Sequence, residues 1–200
     1  MILRRVFEDK PTGYYVDVGA HHPKRFSNTY FFYKRGWSGI NIDAMPGSMK
    51  LFEQHRARDT NIELGVGKKR ALLNYHIFNE PALNGFSQAL SEERDVAESQ
   101  NCLLEIKKIE VRPLAEILDD HLPAHQGIDF LTIDVEGLDL EVLSSNNWEK
   151  YRPEYVLVEV LNNNFDALAN HPISKFMQEQ NYALFAKCTN TVFFVRIEMP

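Results

Sequence analysis

The feature that most constrains this chain is a recurring junction in which a short apolar run stops at an acid or a glycine. Tyr14-Tyr15-Val16-Asp17-Val18 stops at Gly19-Ala20, and Ser38-Gly39-Ile40-Asn41-Ile42 stops at Asp43. Ile128 to Ile133 stops at Asp134, and Tyr155-Val156-Leu157-Val158 stops at Glu159. Such runs, alternating with helical patterns, are the signature of parallel βα units. In an open α/β sheet, ligands sit in the crevice outside the carboxyl ends of the strands. A carboxylate left unpaired near a core is costly. One acid at a strand end is commonly a cap or turn former; four strands that end at or near an acid, Asp17, Asp43, Asp134 and Glu159, suggest a site.

The remaining pattern completes an α/β fold. A helix is expected from Pro23 or Ser27 to Arg35, with Gly36 as its C-terminal cap. Pro46 opens a helix carrying Met49, Leu51 and Phe52, since proline suits a first helical position. A third strand runs over 61–64. Residues 71–78 and 104–111 read as added strands, with a loop at 79–88 and a short polar helix at 91–100 between them. Helices are expected from Pro113 to Asp120, Gly137 to Ser145 and Pro172 to Gln180, and two strands, 182–186 and 192–196, close the chain. The sum is seven core strands plus an insert near 71–111. There is no repeat or linker, so one domain over 1–200 is the simplest account.

Composition excludes several function classes. Acidic residues outnumber basic ones, 28 to 22, for a net charge of -6, which gives no electrostatic reason to expect nucleic acid. Lys68-Lys69-Arg70 reads as a solvated turn. Cys102 and Cys188 have no metal-ligand spacing. MILRRVFEDK lacks the apolar core and cleavage site of a signal peptide. No stretch approaches the length of a membrane span, and the expected setting is the cytoplasm.

In VDVGAHHP a strand leads into a glycine turn that lets backbone approach a ligand. Asp43, at the end of the next strand, suits a carboxylate that accepts hydrogen bonds from ribose hydroxyls. A nucleoside cofactor is implied. Because His21 and His22 stand where a dinucleotide fingerprint has further small residues, NAD and FAD are disfavoured.

The ordered segments YYVDVGAHHP, GWSGINIDAMP, IDFLTIDVEGLDLEVL and RPEYVLVEV resemble the FkbM family of S-adenosylmethionine-dependent methyltransferases. The closing YALFAKCTNTVFFVR is similar to the terminal hairpin of class I methyltransferases. The resemblance implies a Rossmann-like class I fold: a seven-stranded, mostly parallel sheet of order 3-2-1-4-5-7-6, with helices on both faces. It implies that Asp17, Gly19 and Ala20 contact the methionine part of the cofactor, joined by His21, with Asp43 and Ala44 at the ribose. It also implies that Asp134, with Glu136 and Gly137, faces the methyl group and the acceptor. The acceptor class it implies is a small polar molecule, such as a sugar or glycan precursor, methylated on a hydroxyl.

A hydroxyl nucleophile must lose a proton, and a positioned base assists. Asp134 is the first candidate for base or metal ligand; His22, His21 and Glu159 follow. Of the two imidazoles, His22 is expected in the pocket, because Pro23 restricts its backbone, and His21 against the helix start. Each is otherwise a turn histidine bonded to backbone. Asp134, Glu159 and Asn162 or Asn163 offer oxygen ligands for Mg²⁺, although an Asn run is also a turn former. Asn84 and Phe86-Ser87 belong to an irregular loop that is either a substrate lid or a connector. Two other readings stand beside methyl transfer. One is a metal-dependent hydrolase using His21, His22, Asp43 and Asp134; the other is a non-catalytic nucleoside-binding module.

Overall fold

A computed structural model describes residues 2–95, 100–161 and 164–197. In chain order the elements are α1 (Ile2–Val6), β1 (Tyr14–Val18), α2 (Tyr30–Lys34), β2 (Ser38–Asp43), α3 (Met49–His55), β3 (Thr60–Glu63), β4 (Gly65–Val66) and β5 (Ala71–Phe78). A 3-10 turn (Pro81–Leu83) leads to α4 (Gln88–Arg94), β6 (Leu103–Arg112), α5 (Leu114–His121), β7 (Phe130–Ile133), α6 (Asp139–Ser144) and β8 (Tyr155–Glu159). The chain ends with α7 (Phe165–Leu168), α8 (Pro172–Glu179), β9 (Tyr182–Cys188) and β10 (Thr191–Arg196).

The main sheet has the order β3-β2-β1-β7-β8-β10-β9. In core-strand numbering this is 3-2-1-4-5-7-6, the order expected for a class I methyltransferase. The first five strands are parallel, and β10 runs antiparallel between β8 and β9. The insert is a separate three-stranded sheet, β4-β6-β5, whose strand β4 the sequence pattern did not foretell.

Side-chain alternation sorts the core into two layers. Val16, Val18, Leu131, Ile133, Val156 and Val158 face Leu114, Ile117, Val142, Leu143 and Met177 of α5, α6 and α8. Tyr15, Phe130, Leu157 and Phe193 face Leu3, Phe7, Phe32 and Trp37 on the other side. Tyr15 and Phe130 are register partners, so they must share a face. Burying a large apolar side chain contributes roughly 1.5–3 kcal/mol, which gives the short helix α1 a reason to dock. The sequence pattern missed α1 because five residues are too few to show a helical period.

Three expected helices begin later than their sequence suggests. Pro23 to Thr29 is a capped turn rather than helix, since the His22 ring and the Ser27 hydroxyl accept backbone N–H groups there and compete with helical bonds. Ser27 Oγ accepts the N–H of Tyr30 at 3.0 Å. After Pro46, Ser48 is the residue preceding α3. After Asp134, Glu136 and Gly137 adopt φ of 55° and 96°, and helix geometry resumes only at Asp139. The polar helix of the insert lies earlier than expected, at 88–94, and residues 96–99 fall outside the described residues. Among the described residues no helix is long and apolar enough to cross a membrane.

Candidate active site

The register of β1, β2 and β7 brings three loops to one point. Val18 pairs with both Ile42 and Ile133, so Gly19, Asp43 and Asp134 all follow the same row of the sheet. Gly19 N–H donates to Ile42 O at 2.9 Å, and Asp134 N–H donates to Val18 O at 3.0 Å. Gly19 has φ +80°, and a Cβ there would lie 1.8 Å from the Asp134 carbonyl oxygen. Only glycine meets both conditions.

A cavity of about 520 Å³ opens at this point, within the range of small-molecule sites. Gly19, Ala20, His21, His22, Asp43, Ala44, Asp134 and Glu136 all line it. Tyr75, Asn84 and Phe86 of the insert line it as well. The irregular loop is therefore part of the cavity and not a plain connector. Tyr75 and Phe86 form a tilted ring pair with centroids 4.8 Å apart. Asn84 is fixed by accepting the Phe78 N–H at 2.8 Å, and it donates to Met45 Sδ at 3.4 Å. No motif marked Tyr75, and an alternating strand hides which face meets a ligand.

Asp43 is buried and holds two loops together. One carboxylate oxygen accepts the His21 N–H and the other the Met45 N–H, each at 2.8 Å. Burial raises its proton affinity, and the two backbone bonds oppose that rise. Beside it, His21 Nε2 is buried and has no hydrogen-bond partner. Ser48 Oγ lies close to the carboxylate yet has hydrogen-bond geometry to no group.

Asp17, expected at the cofactor, does not line the cavity. It sits one layer below, where its carboxylate accepts the Thr29 hydroxyl at 2.8 Å. Burial pushes its carboxyl up to about 6, against the pull of that bond. In the middle of a strand, its side chain points into the sheet's face and not over its edge.

Both histidines line the cavity, and their rings are held differently. His22 Nδ1 accepts the N–H groups of Lys24 and Arg25, both at 3.0 Å. It is a turn histidine bonded to backbone, and burial lowers its proton affinity. His21 carries the free ring nitrogen.

Asp134 lines the cavity and is exposed to solvent. One carboxylate oxygen from each of Asp134, Glu136 and Glu159 falls within 4.8 Å of the others. Desolvation in the concavity, then repulsion from Glu159 and Glu136, raises the proton affinity of Asp134. Glu159 is raised by desolvation and by Glu136 and Asp139. Glu159 belongs to this cluster but does not line the cavity. Arg94 of α4 pairs with Glu136 and donates to Leu83 O at 2.9 Å. Of the magnesium set Asp134, Glu159 and Asn162, the two acids converge, while Asn162 and Asn163 lie outside the described residues. Among the described residues, His21, His22 and Asp43 are not part of the carboxylate cluster that Asp134 forms with Glu136 and Glu159.

A glycine turn, an edge carboxylate and an insert wall around a sheet of this order define a nucleoside-cofactor α/β domain of methyltransferase type. The family model for the methyltransferase FkbM domain matches residues 17–184, and the chain belongs to that family. Among solved structures it is similar to methyltransferase FkbM from Methylobacillus flagellatus KT, with a TM-score of 0.58 and 14% identity over 92% of this chain. The chain spans 44% of the length of that protein's chain, and at this identity the likeness concerns fold. Precorrin-6y C5,15-methyltransferase from Geobacter metallireducens GS-15 aligns over 97% of this chain and 86% of its own, at 13% identity and a TM-score of 0.46. No curated protein matches the sequence.

Proposed function

We propose that this chain is an S-adenosylmethionine-dependent O-methyltransferase that acts on a hydroxyl of a small polar acceptor, such as a sugar or glycan precursor. Residues present fit the cofactor: an edge carboxylate and, beside it, a buried imidazole nitrogen without a hydrogen-bond partner, both on the cavity. When bound, S-adenosylmethionine supplies an electrophilic methyl group on a sulfonium centre.

The chain's own residues then have three tasks. Asp43 accepts hydrogen bonds from the ribose hydroxyls; its backbone bonds to His21 and Met45 hold it in place and leave lone pairs free. Gly19, Ala20 and the His21 backbone line the methionine end, with Ala44 beside the ribose. Asp134 takes the acceptor's proton. A carboxylate with raised proton affinity is a stronger base than an ordinary one, and desolvation, then the charges of Glu159 and Glu136, create that condition. Orienting the reacting groups is worth roughly 7–11 kcal/mol in well-aligned systems, so positioning and the proton site together suffice for this chemistry.

The observation that carries the reading is the placement of Asp134 against Gly19 in the same cavity as Asp43. The experiment is an acceptor screen with S-adenosylmethionine, using cell-wall sugars and lipid-linked glycans, read as the mass gain of one methyl substitution. Transfer to a hydroxyl that is lost in Asp134→Asn supports the reading. Cofactor binding with no transfer to any acceptor would favour the non-catalytic module.

A further inference from the structure

The turn between β1 and α2 holds an aromatic ring in an unfavourable place. Phe26 is 73% exposed and has φ +57°. A single exposed hydrophobe is ordinary. A bulky side chain in the left-handed region is not, and the pairing of the two asks for a reason.

The turn is not slack. His22 Nδ1 grips it from one side through Lys24 and Arg25. On the other side Asn28 donates to Thr132 Oγ1 at 3.1 Å, and Thr29 donates to Asp17. Both sides of Phe26 are thus tied to β1 and β7, the strands that carry Gly19 and Asp134. The ring of Phe26 lies nearly parallel to that of His21, with centroids 6.3 Å apart and planes 20° apart. The Arg25 guanidinium stands 4.5 Å from its centroid. Phe26, His21 and Arg25 line the same cavity as Asp134 and Glu136. His21, Phe26 and Glu136 are also non-glycine residues with positive φ, so backbone strain gathers around this cavity, as it does at ligand clamps.

We propose that Phe26, backed by His21 and Arg25, is the platform on which the acceptor's ring lies while its hydroxyl meets Asp134; this rests on the methyl-transfer reading. The ligand chemistry is a ring with a flat apolar face and hydroxyls on its rim. An aromatic side chain gives large contact area for few lost torsions. The carboxylates of Asp134 and Glu136 accept hydrogen bonds from the rim hydroxyls. A pyranose and a phenol share this chemistry, and the test separates them.

The reporter is Phe26→Trp, since the native Trp37 and Trp148 are buried. The protein, saturated with S-adenosylhomocysteine, is titrated with methyl glycosides in one arm and simple phenols in the other. A saturable fluorescence change in one arm is expected and names the ring class. Ligand-observed NMR should then show Phe26→Ala binding that probe about fivefold or more weakly, Phe26→Tyr binding it as wild type does, and both variants keeping wild-type affinity for S-adenosylhomocysteine. Binding of neither class to wild type, or equal binding to Phe26→Ala, overturns the platform. Failure of wild type to bind S-adenosylhomocysteine strikes the methyl-transfer reading instead.

Discussion

Arg56 and Asp134 serve two polar regions that flank β1, one beneath the strand and one beyond its end. Arg56 is fully buried. Its guanidinium donates to Asp59 at 2.9 Å, Tyr15 Oη at 2.8 Å, Thr29 Oγ1 at 3.0 Å and Pro23 O at 3.1 Å. Asp59 in turn accepts from Tyr15, the Gly39 N–H and Asn41. Each charge there has a partner and each partner a geometry. At the strand ends, Asp134, Glu136 and Glu159 crowd together, and the ion pair found there among the described residues is Arg94 with Glu136. Balanced, satisfied charge is what a fold uses to fix a loop. Crowded like charge in a cleft raises proton affinity and marks chemistry. The same residue types therefore do different work, and the difference lies in who neutralises them.

The sharpest break in this comparison is a stability measurement. Removing one partner of a buried ion pair leaves the other uncompensated, at a cost of about 3–5 kcal/mol. Arg56→Met should lose that much in denaturant unfolding, while Asp134→Asn should lose nothing or gain. Equal effects from both would erase the distinction.

Turnover should respond in the opposite order. Asp134→Asn keeps shape and removes the proton acceptor, so kcat should fall by about tenfold or more with little change in cofactor affinity. A variant with wild-type kcat would move the proton elsewhere.

Titration gives a smaller effect with a defined sign. A carboxyl whose proton affinity is raised by folding binds protons more readily in the native state, so stability increases as pH falls. For Asp17 and Asp139 the window lies between the ordinary 3.8 and about 6; Asp134 and Glu159 shift in the same direction. Thermal stability should therefore rise on acidification from neutral pH through that window, and rise less in Asp134→Asn. Below it, exposed Asp119 and Asp120, held low by Lys150 and Tyr151 and by Arg112, lose their partners on protonation and stability falls. A monotonic loss from neutral pH downward would contradict the crowding.

The smallest effect belongs to His22. Its ring caps a turn, so His22→Ala should cost on the order of 1 kcal/mol of stability and leave the acid limb of the pH–rate profile in place. Loss of that limb would restore His22 as the base.

The frame of this fold is legible in the sequence because each strand ends on a marked residue: Gly19, Asp43, Asp134, Glu159. Alternation and strand-end chemistry survive in one dimension. What stays hidden depends on three. Arg56 is a lone arginine in sequence, and only folding gathers Asp59, Tyr15 and Thr29 around it. Tyr75 and Asn84 sit in an insert whose face toward the cavity is set by how the second sheet docks. Asp17 was legible as an important acid but misplaced, because its position within the strand puts it under the site. Both histidines line the cavity, but the bonds of His22 Nδ1 to Lys24 and Arg25 belong to a turn that the helix expectation concealed.

The proposed function rests on the edge carboxylate of β2, Asp43, as the ribose contact. Calorimetry with S-adenosylhomocysteine, in chelator, on wild type and Asp43→Ala tests it most directly. The account predicts metal-free binding by wild type and a loss of about 1.5–3 kcal/mol in the variant, the scale of hydrogen bonds to a charged group. No binding by wild type in chelator, or equal binding by both proteins, would contradict it.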